Sequence, residues 1–132
     1  MGSVVSILSS SQRVPTALIV DTDLSASESL GRLLAARQVR ALRVTDSIAA
    51  FALLRTEAID ILICEDLGGF HGIEVLEACE ALFPKVRRVY LARQPSPELD
   101  GAATLRGHVH AIVTNAMSPV EVLDTIASLT HP

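Results

Sequence analysis

The stretch ALIVDTD, residues 17–23, decides how the rest of the chain is read. Ala17–Val20 is a short unbroken aliphatic run rich in β-branched residues, which reads as a strand buried on both faces rather than one with a wet side. Asp21-Thr22-Asp23 ends the run with polar, helix-starting residues. Four more aliphatic runs follow at regular intervals: Val39–Val44, Ile61–Cys64, Val86–Ala92 and Ala111–Val113. Val39–Val44 carries two arginines and suits an edge strand.

Between these runs lie helix signals. Ser25-Ala-Ser-Glu28 has the spacing of a capping box, with Leu30, Leu33 and Leu34 following on one face. Ser47 to Arg55 and Gly72 to Leu82 carry helical apolar stripes, the second stopping before Pro84. Ser96-Pro97 places a proline at a first helical position. Ser118-Pro-Val-Glu121 adds a second capping box, and Val122, Leu123, Ile126 and Leu129 form the stripe behind it. Strands alternating with helices predict an α/β fold with one parallel sheet covered on both faces. For five strands the flavodoxin-like (βα)5 order 2-1-3-4-5 is the natural doubly wound arrangement, and its crevice lies beyond the carboxyl ends of strands 1 and 3.

With 132 residues the chain is one domain, and it can bury roughly two thirds of its unfolded surface, enough for a core without staples. Residues 1–14 are Ser-rich and read as a flexible lead-in, leaving 15–132 as the domain. Aromatics are 3% of the residues and net charge is −4, which disfavours a base-stacking or basic nucleic-acid surface. The short basic clusters Arg37, Arg40, Arg43 and Lys85, Arg87, Arg88 read as solvated surface. Cys64 and Cys79 sit in apolar segments without metal or CxxC spacing, so they read as small hydrophobes. The opening residues are not expected to act as a signal peptide, no apolar run reaches bilayer-spanning length, and the expected compartment is the reducing cytoplasm.

The residues to examine are those at the strand ends. Asp21-Thr22-Asp23 follows strand 1, and Glu65-Asp66 follows strand 3. Carboxylates meeting at that crevice fit a divalent cation site. They equally fit helix capping, where acidic groups meet the positive end of the helix dipole.

The segments ALIVDTD (17–23), EAIDILICED (57–66), GFHGIEVLEACEALFP (69–84), VRRVYLA (86–92) and HAIVTNAMSPVEVLDTI (110–126) resemble, in order and spacing, the receiver domains of bacterial response regulators. The resemblance covers about residues 16–130. It implies a site in which an acidic pair after strand 1 and an aspartate ending strand 3 hold Mg2+. That aspartate takes a phosphoryl group from a histidine kinase, and a hydroxyl after strand 4 and a lysine after strand 5 contact the phosphoryl oxygens. The metal and the lysine offset charge on the transferring group, where most phosphoryl-transfer catalysis lies.

Carried over residue by residue, the acidic pair matches Asp21 and Thr22, with Asp23 one step later. Counting from Asp60 puts the acceptor at Glu65. Counting back from Gly72 gives Cys64, and a one-residue strand slip gives Asp66. The hydroxyl matches Ala92, the lysine matches Asn115, and the aromatic switch position on strand 5 matches Ile112. Lys85, the only lysine in the chain, lies at the other end of the sheet.

Four departures in one pocket imply a stand-alone pseudo-receiver without enzymatic activity or catalytic residues. It would act on another signalling protein, or on a second copy of itself, through the face made by helix 4, strand 5 and helix 5. That face includes Glu98, Arg106, Val122 and Ile126. No resident cofactor is expected; any Mg2+ would rest on Asp21, Asp23 and Asp66. Two other functions fit the sequence: a weakly metal-dependent phosphoacceptor, and a flavodoxin-like small-molecule binder. The expectation is that no output domain follows Pro132 and that neither nucleic acid nor a membrane is a partner.

Overall fold

The computed structural model describes residues 13–67, 71–92 and 109–130. The elements are β1 (Thr16–Val20), α1 (Leu24–Ala36), β2 (Arg40–Val44), α2 (Ser47–Thr56), β3 (Ile61–Glu65), α3 (His71–Leu82), β4 (Arg87–Ala92), β5 (Ala111–Thr114) and α4 (Pro119–Thr130). α4 is the helix that the sequence places fifth. The helix expected at Ser96-Pro97, together with Glu98 and Arg106, lies outside the described residues.

All five strands pair in parallel in the order β2-β1-β3-β4-β5, as the alternating pattern predicts. β1 and β3 are buried at every position, whereas β2 at the sheet's edge is exposed or half-buried throughout.

Side-chain alternation divides the core into two layers. Leu18, Val20, Leu62, Cys64, Tyr90 and Ala92 face Ala50 and Leu54 of α2 and Ile73, Leu76 and Cys79 of α3. Ala17, Ile19, Ile61, Ile63, Val89 and Val113 face Leu34 of α1 and Leu123 and Ile126 of α4. Tyr90 is the largest of the fully buried side chains.

The first capping expectation is corrected. Asp23, not Ser25, is the N-cap of α1, with its side chain accepting the Ala26 amide at 3.0 Å. Starting the helix at Leu24 lets Ser27 turn its hydroxyl to the Leu24 carbonyl and leaves Glu28 to pair with Arg32 one turn on. Asp46 caps α2 in the same way through the Ala49 amide. The second capping box forms as read: Glu121 N donates to Ser118 Oγ at 3.2 Å, and Ser118 N donates to Glu121 Oε1 at 3.1 Å.

At the amino end of the sheet Asp60 ties three segments together. Its carboxylate accepts from Thr16 N and from the Arg13 guanidinium, each at 2.7 Å, and its backbone bridges Thr16 and Arg87. Arg13, placed by sequence in the lead-in, is thus fixed to the domain.

The reading of Arg88 as solvated surface is also corrected. Its side chain is 5% exposed and donates to Val86 O at 2.9 Å, with the Glu80 carboxylate 3.4 Å away. Arg37 and Arg40 pair with Asp124 and Glu57. Apart from Arg88, the residues of both basic clusters are exposed, as surface positions would be.

Candidate functional site

β1 and β3 lie in register, Ile19 beside Ile63 and Val20 beside Cys64. One step further, Asp21 and Glu65 leave the sheet at the same level and on the same face as Ile19 and Ile63. Both are buried, at 0% and 5% exposed. Cys64 faces the opposite layer, among the side chains under α2 and α3.

Thr22 closes the crevice over Glu65. Its amide donates to Glu65 Oε1 at 2.9 Å and its hydroxyl to the same oxygen at 2.5 Å. A carboxylate gripped by two donors from one residue is a charge-assisted arrangement, stronger than a neutral hydrogen bond. Asp21 turns its Oδ1 back on the Asp23 amide at 2.8 Å. Asp23 points to Ala26 as the helix cap and is exposed. Both acidic residues after β1 therefore engage the amides that open α1.

Asp66 is half-buried, and its carbonyl accepts from Gly72 N at 2.9 Å. Leu67 then takes a left-handed backbone, φ 50°, and packs on the α2/α3 core layer. A non-glycine residue is uncommon there. Gly72 is required by proximity: a Cβ on it would fall 2.1 Å from the Glu65 carbonyl oxygen. The amino end of α3 thus lies directly against the end of β3.

Cys64 donates its thiol to the Glu65 carbonyl at 3.3 Å. Burial, and then the carboxylates of Glu65, Asp21 and Asp66, push its pKa far above the ordinary thiol range. Burial raises Cys79 to about 11. Both are held as thiols and stay poor nucleophiles.

Ala92 ends β4 buried, at 3% exposed, on the α2/α3 side. Asn115 follows β5 and is exposed; it helps line a groove of about 450 Å³ between α1 and α4, with Leu30, Leu91, Met117 and Val122. Ile112 is half-buried against the α2/α3 core layer, an ordinary aliphatic packing position.

The expected partner face needs one correction. Ile126 is 0% exposed and belongs to the core, so it cannot present its side chain to a partner. Val122 is half-buried on the same layer, whereas Val120, two residues earlier, is 59% exposed. Among the described residues, no three metal-binding side chains of the His, Cys, Asp or Glu kinds converge. No helix among them is long and apolar enough to cross a membrane.

The sheet order, the crevice between β1 and β3 and the acidic strand ends define the receiver-domain version of the flavodoxin-like fold. Solved response regulators superpose on nearly the whole chain. A response regulator from Thermotoga maritima matches with a TM-score of 0.82 at 15% identity, over 91% of this chain and 100% of its own. The signal receiver domain of an HD domain-containing protein from Pseudomonas fluorescens gives 0.81 at 22% identity, over 89% of this chain and 94% of its own. A CheY-like receiver domain protein from Methanospirillum hungatei gives 0.78 at 20% identity, over 88% and 93%. No family model and no curated protein matches the sequence.

Proposed function

We propose that this chain is a pseudo-receiver: a receiver-fold module of signal transduction that works through protein contact, without aspartyl phosphorylation and without catalysis. The observation that carries the reading is the pair of hydrogen bonds from Thr22 to Glu65. In the receiver scheme these two positions hold a metal ligand and the phosphoacceptor, which meet through Mg2+. In this chain they meet directly, donor to acceptor.

The donor set fits Mg2+ poorly. The ion favours carboxylate oxygens in near-octahedral geometry. A threonine hydroxyl that donates its proton to Glu65 offers little to a cation, and Asp23 is committed to capping α1. The remaining parts agree. Phosphoryl transfer requires offsetting charge, yet Asn115 stands where the lysine would be. Ala92, buried, has no hydroxyl to draw a loop inward.

A crevice closed in this way holds one conformation, suited to a constant contact with another signalling protein in the cytoplasm. With Ile126 in the core, the exposed Val120 takes its place on the outward side of α4. The test is incubation with acetyl phosphate and millimolar Mg2+, followed by intact-mass measurement in acid. The unmodified mass is expected throughout. A phosphoryl adduct that disappears on Glu65→Gln or Asp66→Asn substitution would overturn the reading and make the chain a phosphoacceptor.

A further inference from the structure

The start of β5 is held by an unusual bond. Parallel strands send alternate amides to their two neighbours. Arg87 N of β4 goes to Asp60 O on the β3 side, so Arg88 N faces β5. The β4–β5 ladder begins only at Val89 and Ala111, and the acceptor that Arg88 N finds is a side chain: His110 Nδ1, at 2.9 Å. In return His110 N donates to Arg88 O at 2.7 Å. One residue thus supplies both halves of a two-point attachment, its imidazole standing where a strand carbonyl would.

We propose that His110 is a proton-operated latch that fixes the beginning of β5 to β4 when neutral and releases it when protonated. The chemistry is that of the ring nitrogen. An amide N–H can only donate, so Nδ1 must carry a lone pair and the neutral ring must hold its proton on Nε2. A proton taken from solvent onto Nδ1 replaces the acceptor with a second donor. Arg88 N–H then faces N–H, and a strand-edge amide loses its partner. The charged groups around the ring are Arg88 and Arg87 on β4 and Glu80 on α3. Loss of solvent around the ring opposes an imidazolium most, and the two arginines add to it. Glu80 acts the other way but is outweighed, so the ring titrates below the ordinary histidine value. Arg88 cannot move aside, because its guanidinium is bonded to Val86 O and lies beside Glu80. The first thing to yield is therefore the attachment of β5.

The experiment is a pH titration of the 15N-labelled full chain by NMR, following the His110 ring nitrogens and the Arg88 amide together. Near neutral pH, Nδ1 is expected unprotonated. On acidification the Arg88 amide should shift with the His110 midpoint, which lies below about 6.5. Hydrogen-exchange protection at Arg88 should fall by up to about tenfold per pH unit below that midpoint. His110→Asn, which keeps an acceptor and cannot titrate, should hold the Arg88 amide constant over the same range. An Arg88 amide that stays still while His110 titrates, or a proton found on Nδ1 at neutral pH, would overturn the proposal. The wild-type titration decides the matter even if the variant does not fold.

Discussion

Thr22 shows how a single side chain can engage a strand-end carboxylate twice. A carboxylate there would face Glu65 as a like charge and call for a cation between them. A threonine instead satisfies Glu65 from within the chain, with two bonds to one oxygen. Thr22→Val keeps the amide bond and removes the hydroxyl. Hydrogen bonds to charged groups contribute about 1.5–3 kcal/mol, so urea unfolding of T22V should show a loss of that order. A smaller loss would mean that the amide alone holds the carboxylate. The cysteines give a second check at this scale. Cys64 and Cys79 are both 0% exposed and held as thiols, so a thiol reagent should label neither in the native protein and both in denaturant. The structure carries β3 through Glu65, whereas the sequence reading ends strand 3 at Cys64 and leaves Glu65, Asp66 and Cys64 open as the acceptor position. It did not anticipate the bond from Thr22, because no local pattern records which donor, four decades along the chain, meets a strand-end carboxylate.

At the scale of elements, the joints carry the constraints. Gly72→Ala would set a Cβ against the backbone of Glu65 and Asp66, where nothing flexible can yield. Overpacking of this kind costs about 1–3 kcal/mol or more, and an equilibrium unfolding curve for G72A should show it. At the end of α1, Gln38 sits at φ 63° while its amide and that of Val39 close the helix onto Ala35 O and Leu34 O. Gln38→Gly relieves a left-handed side chain and should raise stability by roughly 0.5–1 kcal/mol. On α4, Ile126→Ala should cost about 2–5 kcal/mol as a core truncation, whereas Val120→Ala, on an exposed site, should change stability by about 0.5 kcal/mol or less. The helical stripe was legible as a stripe, but periodicity alone does not say which of its members reach the core. Caps show the same limit. Two acceptors, Asp23 and Ser25, both precede the α1 stripe, and only the position of β1's end chooses Asp23. Where a single candidate stands next to a proline, at Ser118, the pattern was sufficient.

Over the whole molecule, the sheet was readable because its inner strands are buried on both faces and leave unbroken aliphatic runs, as in Ala17–Val20 and Ile61–Cys64. Arg88, which the fold draws inward, was not readable, because it looks like surface in any window of sequence; His110 stays exposed, and what no window records is its bond to the Arg88 amide. Their pairing bears on acid stability. His110 binds its proton less readily when folded than when unfolded, so it contributes stability above the unfolded value near 6.5, and that contribution is lost as pH falls through the lower folded value. The wild-type urea midpoint should therefore decline as pH drops below about 6.5, and His110→Asn should flatten that part of the profile. The central claim, that Thr22 and Glu65 satisfy each other and leave no working metal site, is met most directly by following the Asp21, Thr22, Glu65 and Asp66 amides by NMR during a Mg2+ and beryllofluoride titration. The account predicts no saturable shift at millimolar metal. Saturable shifts centred on those four amides would contradict it.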